Sequence, residues 1–489
     1  MKESILQKLN ISLEPIPKVI HVDSWRKFLF LVLFCIILLL IICLIPSFGY
    51  VKRTFQIIVI LCFLLFPLYR LRMVDMLYFL LIFTFFLHSY RVFPSGYGYD
   101  SMDLVFFPLL FVYIIYQLTV KKPLFRSTKF DWAVFLYFFV IIFETGFSRW
   151  VGNSWYNILR EIVTYPKGII LFYIVITIIL DYSQIDRIIK FVFFLTFAVC
   201  LLGIYQYFNI GPHNVLPGNY VAYREQSTFH NSNILAGLLE LVIPILIIYF
   251  LEEREWSKRF LYLALAFPMV LSLLFTYSRA GFFTTLFSLF ILFLLRLRGK
   301  SIIIIILLII LIVGLATNTT LLSRQLFSLK MENVIADPSL FFRVWQYLGY
   351  IDNIRHHPIL GLGWGVAHDK AHYGYFVVAK EPITLISGLN SAVFDQLVKG
   401  GLVYFISFSL VIFLIIRENF RFLKQVKDPK YRKIAWGFLG GFLAFLPHQL
   451  VDSIIKFSQT EVVFWLFMGL MYSAYLLYQK ENSKIELVK

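Results

Sequence analysis

The sequence is poor in charged residues, and especially in acidic ones. Only 15% of its 489 residues are Asp, Glu, Lys or Arg, whereas 60% are hydrophobic, and the mean hydropathy is +0.79. A soluble domain of this length could not bury so much apolar surface, which excludes a soluble globular protein. The 45 basic residues outnumber the 28 acidic ones and give a net charge of +17. In a membrane protein such an excess collects in cytoplasmic loops, so we expect membrane lipids as neighbours and no nucleic-acid partner.

Cysteine is scarce, and several nucleotide and metal motifs are missing. Cys35, Cys43, Cys62 and Cys200 all fall within apolar runs, where cysteine behaves as a small hydrophobic residue. The chain has no P-loop, no G-x-G-x-x-G fingerprint and no H-E-x-x-H motif, so we predict no cofactor and no metal site. It has no G-x-S-x-G elbow either, although a Ser-His-Asp arrangement without one stays open.

The abundant feature is a series of apolar runs of about 16 to 22 residues, long enough to cross a hydrocarbon core as helices. The runs rarely alternate apolar with polar residues, which argues against an outer-membrane barrel. We therefore predict an all-α polytopic integral membrane protein with about 12–14 transmembrane helices. The fourteen predicted spans are residues 28–46, 55–69, 74–90, 104–120, 132–146, 168–181, 188–210, 233–251, 260–277, 280–296, 301–317, 391–416, 434–450 and 459–478.

Lys and Arg in the connecting segments set the predicted orientation, with both termini in the cytoplasm. The resulting layout has a cytoplasmic segment at 1–27, helices 1–11 within 28–317, a long periplasmic or extracellular loop at 318–390, helices 12–14 within 391–478 and a cytoplasmic tail at 479–489. Loops as long as this one are usually functional or disordered.

Two features of the long loop predict local structure. Residues 339–358 carry apolar side chains at helical spacing, and Pro358 marks the end of this predicted amphipathic helix. The GLGWG run at 361–365 predicts a tight turn beside the membrane, because glycine accepts backbone conformations that other residues avoid.

Polar side chains collect at four places on the predicted outer side. Arg279 is the one formal charge between Phe260 and Leu295, and it lies with Ser278 at the turn between two spans. The other three groups are Arg224, His230 and Asn231 before the 233–251 span, Arg343, Trp345, His357 and Trp364 in the loop, and Asn390 and Asp395 at the start of the next span. Simpler interpretations stay open: an interfacial arginine that extends to water, a helix cap, and an Asp395–Lys399 pair on one helix face.

Several arginines without a matching set of carboxylates indicate an anionic ligand, because guanidinium groups bind phosphate oxygens in bidentate fashion. In the outer leaflet, a lipid-linked diphosphate is a natural ligand of this kind. The aromatic residues of the loop, including Trp345 and Trp364, would suit sugar faces, although aromatic residues also line any membrane interface.

Four motifs occur in a fixed order around the long loop. They are R-x-x-x-T-F-H-N-S-N-I-L-A at 224–236, T-Y-S-R-A-G at 276–281, R-V-W at 343–345 followed by H-P-I-L-G-L-G-W-G at 357–365, and L-N-S-A-V-F-D-Q-L-V-K-G-G-L at 389–402. Together they resemble the O-antigen ligase and O-antigen polymerase superfamily of bacterial envelope glycosyltransferases. The resemblance runs from about 218 to 405, and the N-terminal half is similar to the family only in hydropathy.

The resemblance implies a GT-C-type helical bundle in the bacterial inner membrane. It implies a donor oligosaccharide on undecaprenyl diphosphate at the outer face, passed to the lipid A core or to another lipid-linked repeat without metal or nucleotide sugar. By match, Arg224, Arg279 and Arg343 would hold the diphosphate. We take these arginines, with His357 and Asp395, as candidate catalytic residues. The candidate substrate-binding residues are Ser278, His230, Asn231, Trp345, Trp364 and Asn390.

One departure from the family pattern concerns the general base. Ligases usually carry His-Asn where this chain has Leu389-Asn390, and an acidic position is replaced by Lys399. The base could instead come from Glu225, His357, His368, His372 or Asp395, or the protein could be a polymerase, which this departure favours slightly.

A transporter or flippase of lipid-linked glycans is the alternative function. Its support is the presence of Glu144, Glu240 and His448 within predicted spans, where ionisable residues often mark transport pathways. A non-catalytic scaffold of an envelope complex is the third interpretation.

Overall fold

The computed structural model describes residues 73–86, 103–162, 164–210, 215–216, 220–221, 224–229, 231–296, 338–365, 376–378, 381–383 and 391–488. The α-helices of these residues are α1 Asp75–Phe86, α2 Asp103–Thr119, α3 Asp131–Trp150, α4 Trp155–Ile162, α5 Thr164–Ile178, α6 Tyr182–Ile210, α7 Ser232–Glu252, α8 Trp256–Phe275, α9 Arg279–Arg296, α10 Pro338–His356, α11 Ala392–Gln425, α12 Pro429–His448 and α13 Ser458–Val488. A 3₁₀ turn, Ile454–Lys456, precedes α13.

Two short antiparallel hairpins complete the described elements. Strand β1, Val215–Leu216, pairs with β2, Tyr220–Val221. Strand β3, Phe376–Val378, pairs with β4, Glu381–Ile383.

The prediction of an all-α polytopic membrane protein is confirmed. Six of the described helices, α3, α6, α7, α8, α11 and α13, are long and apolar enough to cross a membrane by length and composition. Four shorter apolar helices, α1, α2, α5 and α9, accompany them. The spans predicted at 28–46, 55–69 and 301–317 and the segment at 1–27 lie outside the described residues.

Several helices are longer than their apolar runs. Helix α11 continues to Gln425, and the carboxylate of Glu418, buried in its added turns, is paired with Arg421 at 2.5 Å. Helix α13 continues to Val488, and Glu481 in its extension accepts hydrogen bonds from Tyr431 at 2.7 Å and Lys430 at 3.2 Å. Polar side chains that find partners therefore extend helices past the limits set by hydropathy.

Helix α7 lies at the centre of the bundle. It is apolar on all sides and almost wholly buried, as expected for a helix surrounded by others. Its neighbours include α8, α9, α12 and α13. A Cβ atom on Gly441 of α12 would come within 2.8 Å of the Leu241 carbonyl, so glycine permits this close approach. Small residues at such contacts are typical of membrane helix packing.

The ends of several helices meet at one end of the bundle, which we call the site end. It contains residues 148–157, 224–229, 231, 276–278, 357–365 and 449–457. Hydrogen bonds join these segments: Arg224 Nε donates to Thr276 O at 2.8 Å, Leu362 N to Val398 O at 2.8 Å, and Ala392 N to Gln449 O at 3.0 Å. The predicted helix at 339–358 is present as α10, which packs on the first turns of α11.

The predicted tight turn at 361–365 is also present. Gly361, Gly363 and Gly365 all have positive φ angles. Helix α11 is broken at Gly401, which has φ 60° and ψ −166°. The backbone of the 357–365 turn packs against this break, and Leu402 N donates to Pro358 O at 2.9 Å. A Cβ atom on Gly401 would lie 2.2 Å from the Ile359 carbonyl oxygen. Glycine is therefore needed at 401 for both conformation and space.

Gly401→Ala should destabilise the protein by about 1–3 kcal/mol from backbone strain alone, and more from the steric clash. The matched control is Gly146→Ala in α3, where an added Cβ meets no atom within 4 Å and helix propensity should improve. Thermal unfolding of both variants in detergent measures the difference. Equal melting temperatures for the two variants would contradict the importance of the break.

Candidate functional site

Arg224 joins three segments at the site end. Its Nε donates to the carbonyl of Thr276 at 2.8 Å, and its NH2 donates to Asn233 Oδ1 at 2.7 Å. The backbone of the next residue, Glu225, donates to Phe275 O at 3.1 Å. The segment before α7 is therefore fixed to the turn that follows α8.

That turn carries Ser278 and Arg279, as the sequence predicted. Tyr277 adopts φ 50°, which reverses the chain, and its hydroxyl lies 2.9 Å from that of Tyr207. The buried Ser278 accepts a hydrogen bond from Gly281 N at 3.4 Å and so caps α9. Arg279 is the first residue of α9 and is half-buried.

Asp452 brings Arg343 to the same place. Its Oδ2 lies 3.7 Å from Arg343 NH2 and accepts a hydrogen bond from Asn233 Nδ2. The Oδ1 atom of the same Asn233 side chain accepts the hydrogen bond from Arg224. We call Arg224, Asn233, Arg343 and Asp452 the arginine cluster. The sequence analysis missed Asp452, although it is an acidic residue in the short segment between α12 and α13 on the predicted outer side.

Helix α10 is fixed beside this cluster by Tyr347. The Tyr347 hydroxyl donates to Leu450 O at 3.0 Å, and its ring lies against Tyr350 and Phe394. Burial raises the pKa of the Tyr347 phenol, and the nearby charges of Arg343 and Asp452 act on it in opposite directions. The segment that carries Arg343 is thereby held against the end of α12.

Asp395 belongs to a second polar group at the site end. Its buried carboxylate contacts Lys399 at 3.1 Å and also pairs with Lys456, and Tyr165 donates to it at 3.3 Å. Lys399 reaches Glu161 at 2.9 Å, and Glu161 accepts a hydrogen bond from Gly365 N at 3.1 Å. The Asp395–Lys399 pair expected from the spacing is present, and it is part of a network that holds the 357–365 turn.

Trp364 fills the centre of that turn. Its backbone N donates to Ser148 Oγ at 2.7 Å, and its carbonyl accepts from Asn153 Nδ2 at 3.1 Å. The indole is buried against Tyr404, with ring centroids 4.7 Å apart. The sugar contact predicted for Trp364 stays a prediction, and the described contacts are those of a packed core residue.

The remaining predicted residues fall in different surroundings. His357 is exposed just after α10, and Asn231 is the N-cap of α7, accepting from Asn233 N at 2.8 Å. Their predicted roles stay predictions. His230, Asn390, His368, His372 and the side chain of Trp345 lie outside what the structure describes.

Glu225 points away from the arginine cluster, into the contact between α6 and α8. Its Oε1 accepts from Ser272 Oγ at 2.7 Å, and a Cβ on Gly203 would overlap this carboxylate. Burial raises the pKa of the Glu225 carboxyl to about 8. A general base must reach the acceptor hydroxyl, so this position does not favour Glu225 as the base.

A buried acid–histidine pair lies directly beneath the cluster. His448 Nδ1 is in hydrogen-bonding contact with Glu240 Oε1, and both side chains are almost completely buried. A Cβ on Gly281 would lie 2.8 Å from the same carboxylate oxygen and 3.3 Å from Ser278 Oγ. His448 O accepts from Asp452 N at 2.9 Å. The pair therefore links the start of α9 to the segment after α12 that carries Asp452.

Among the described residues, no group of three or more His, Cys, Asp or Glu side chains is arranged to hold a metal ion. Within the arginine cluster, the charged groups that could meet a ligand are Arg224, Arg343 and the partly exposed carboxylate of Asp452.

These features define a polytopic helical membrane protein with an arginine-rich site at one end of the bundle. Residues 263–409 match a family model described as O-antigen ligase. The match contains the turn before α9, α10, the 357–365 turn and the first half of α11, and it confirms the resemblance to the O-antigen ligase and polymerase superfamily. The family implies a glycosyl-transfer enzyme that acts on lipid-linked glycans in a membrane. No curated protein matches the chain.

Replacing one member of the Glu240–His448 pair should destabilise the protein by about 3 kcal/mol, because the other is left buried without its partner. The double variant Glu240→Gln/His448→Gln should lose less than the sum of the single changes, since two amides can still bond. The measurement is a double-mutant cycle of unfolding in detergent. Ser288→Ala is the matched control, because it removes a 2.5 Å hydrogen bond to Gly440 O between α9 and α12 without a charge. Additive losses would show that the pair is not coupled.

Proposed function

We propose that this protein transfers an oligosaccharide from undecaprenyl diphosphate to a glycan acceptor at the outer face of the bacterial cytoplasmic membrane. The observation that carries the proposal is the convergence of Arg224 and Arg343 on Asn233 and Asp452, beside the turn that presents Arg279. These arginines come from three separate segments, and their cationic forks suit the oxygens of a diphosphate.

The orientation of the bundle supports action at the outer face. The turns at the end opposite the site carry clusters of basic residues. They include Arg254, Lys258 and Arg259 after α7, and Lys427, Lys430, Arg432 and Lys433 around the start of α12. Cytoplasmic segments carry such clusters, so the site end faces away from the cytoplasm in this proposal.

The proposed reaction is an inverting displacement. The acceptor hydroxyl oxygen forms a bond to the anomeric carbon, and the bond from that carbon to the phosphate oxygen breaks. Negative charge grows on the departing undecaprenyl diphosphate, and arginines already held in position stabilise it. The hydroxyl proton passes to a base. No metal is required for these steps.

Asp452 is the carboxylate best placed to act as this base. Its side chain is 13% exposed and lies within the arginine cluster, whereas Asp395 is fully buried and already paired with two lysines. Before the donor binds, Asp452 also supplies the negative charge opposite Arg343. A diphosphate that takes over Arg343 would release Asp452 toward the acceptor hydroxyl.

The acceptor is proposed to be another lipid-linked repeat, which makes the enzyme a polymerase. The reason is the leucine at 389, where ligases usually carry the histidine proposed as their base. Transfer to the lipid A core is the second possibility, and the assay below separates the two.

Arg279→Ala should lower glycosyl transfer by roughly 10²-fold or more, because an electrostatic contact to the leaving group is lost. Arg279→Lys should restore little, since it keeps the charge without the fork. The control is Arg187→Ala, a half-buried arginine at the opposite end that donates hydrogen bonds to Ser183. The assay uses protein in nanodiscs with undecaprenyl-diphosphate-linked repeats, with and without lipid A core, and reads products by gel and mass spectrometry.

A ladder of lengthening glycans indicates a polymerase, and product formed only with lipid A core indicates a ligase. Full activity of Arg279→Ala would refute the role of the arginine. If wild-type protein forms no product with several donors but moves lipid-linked glycan across proteoliposome membranes, the transporter alternative replaces the enzyme. The buried Glu240–His448 pair is the observation that favours that alternative.

Asp452→Asn should lower the turnover number by roughly 10²–10⁴-fold if Asp452 accepts the proton. Donor binding should persist or tighten, because an anion that competes for Arg343 has been removed. Asp352→Asn is the matched control on the exposed face of α10, where Asp352 lies 3.6 Å from His356. Initial rates and donor KM are measured for both variants. A rise in donor KM with unchanged turnover would show that Asp452 only positions Arg343.

A further inference from the structure

A cavity of about 340 Å³ lies between α3 and α5, toward the end opposite the site. This volume is within the range of about 300–1,000 Å³ that is usual for small-molecule sites. The lining residues are Phe125, Arg126, Ser127, Asp131, Val134, Phe135, Phe138, Ile169, Ile170 and Tyr173. Along α3, the cavity begins about 25 Å from Ser148 at the site end, so it is not part of the arginine cluster.

The cavity lining is polar at one end and apolar at the other. Arg126, Ser127 and Asp131 lie where the chain enters α3, and the apolar residues follow in the next two turns of α3 and on α5. Phe135, on this apolar side, is 73% exposed in the second turn of α3, a helix long and apolar enough to cross a membrane. The cavity therefore continues onto the lipid-facing surface.

The polar end is a preformed structure. Arg126 N donates to Thr177 Oγ1 at 3.0 Å, and Tyr113 donates to Leu124 O. The Asp131 carboxylate accepts from Ser127 Oγ at 3.0 Å, Thr128 Oγ1 at 2.5 Å and Tyr173 OH at 2.6 Å. The oxygens of Asp131 are thus occupied by neutral donors. Among the described residues, no carboxylate forms an ion pair with Arg126.

The surrounding charge is positive. Residues 121–131 contain Lys121, Lys122, Arg126 and Lys129 against the single acidic residue Asp131. The three lysines are exposed, whereas Arg126 is half-buried at the cavity. A ligand that fits this cavity needs an anionic head group at Arg126 and an apolar tail beside Phe135, Phe138 and Ile170.

We propose that this cavity binds one anionic glycerophospholipid, with its phosphate at Arg126 and an acyl chain between α3 and α5. A neutral phospholipid lacks the net charge that the basic end selects, and inorganic phosphate lacks the tail that the apolar wall selects. The site is independent of the proposed glycosyl transfer, and the bound lipid would fill the space between α3 and α5.

The test is native mass spectrometry of the full chain in detergent, titrated with dioleoyl phosphatidylglycerol or dioleoyl phosphatidylcholine. Wild-type protein should retain one phosphatidylglycerol about 10-fold more tightly than phosphatidylcholine. Arg126→Ala should lower phosphatidylglycerol affinity by about 10-fold, as expected for loss of a charge-assisted contact. Lys122→Ala, which removes an exposed charge that does not line the cavity, should change it by less than about 3-fold.

Ile170→Trp provides a second variant that fills the cavity and keeps Arg126. It should lower the affinity for phosphatidylglycerol and abolish the rise in melting temperature that the lipid gives to the wild type. Equal affinities of the two lipids for the wild type, equal effects of Arg126→Ala and Lys122→Ala, or full binding by Ile170→Trp would each overturn the proposal. Melting without added lipid confirms that each variant is folded.

Discussion

Two hydrogen bonds from the Arg224 guanidinium are contacts on which the site end depends. The last carbonyls of a helix have no partner within the helix, and Arg224 Nε donates to Thr276 O just after α8. The other side of the same fork holds Asn233, whose amide donates to Asp452. One planar cation therefore satisfies the end of α8, fixes the start of α7 and, through Asn233, positions the carboxylate that faces Arg343.

Polar pairs below this cluster hold the central helices in register. Lipid chains are as apolar as leucine side chains, so burial alone gives little preference for one arrangement of membrane helices over another. The Glu240–His448 pair joins α7 to α12, and the hydrogen bond from Ser288 to Gly440 joins α9 to α12 deeper in the bundle. Such contacts fix the helix ends, and the arginines at those ends are then held in place before a substrate arrives.

The residues that match the O-antigen ligase family do not form the site alone. Arg279 and Arg343 lie within residues 263–409, whereas Arg224, Asn233 and Asp452 lie outside and supply the contacts that bring the two parts together. The 357–365 turn is likewise held from outside by Ser148 and Glu161. The matched region and the flanking helices thus act as one unit in the proposed chemistry. The proposed lipid site at Arg126 lies on α3 and α5, which also contact the network around the turn.

The sequence by itself determined the helical membrane class, because hydropathy over about 20 residues is a local property of the chain. It also gave the Ser278–Arg279 turn, a helix at 339–358 that the structure has at Pro338–His356, and the glycine turn at 361–365, and it allowed the Asp395–Lys399 pair. Each of these depends on neighbouring residues or on a spacing of four. It did not give the full length of α13, where Glu481 in the added turns is bonded to Tyr431 of another helix.

Only the tertiary structure decided which carboxylate meets which cation. Arg343 of α10 meets Asp452 beyond the end of α12, and Lys399 meets Glu161 across α11 and α4. Such pairs depend on how helix ends are placed relative to one another, and that placement results from packing along the whole length of the helices. Hydropathy specifies that a helix crosses the membrane but not its rotation or its neighbours. For this reason the pairing of Asp452 with Arg343 could be found only in the folded chain.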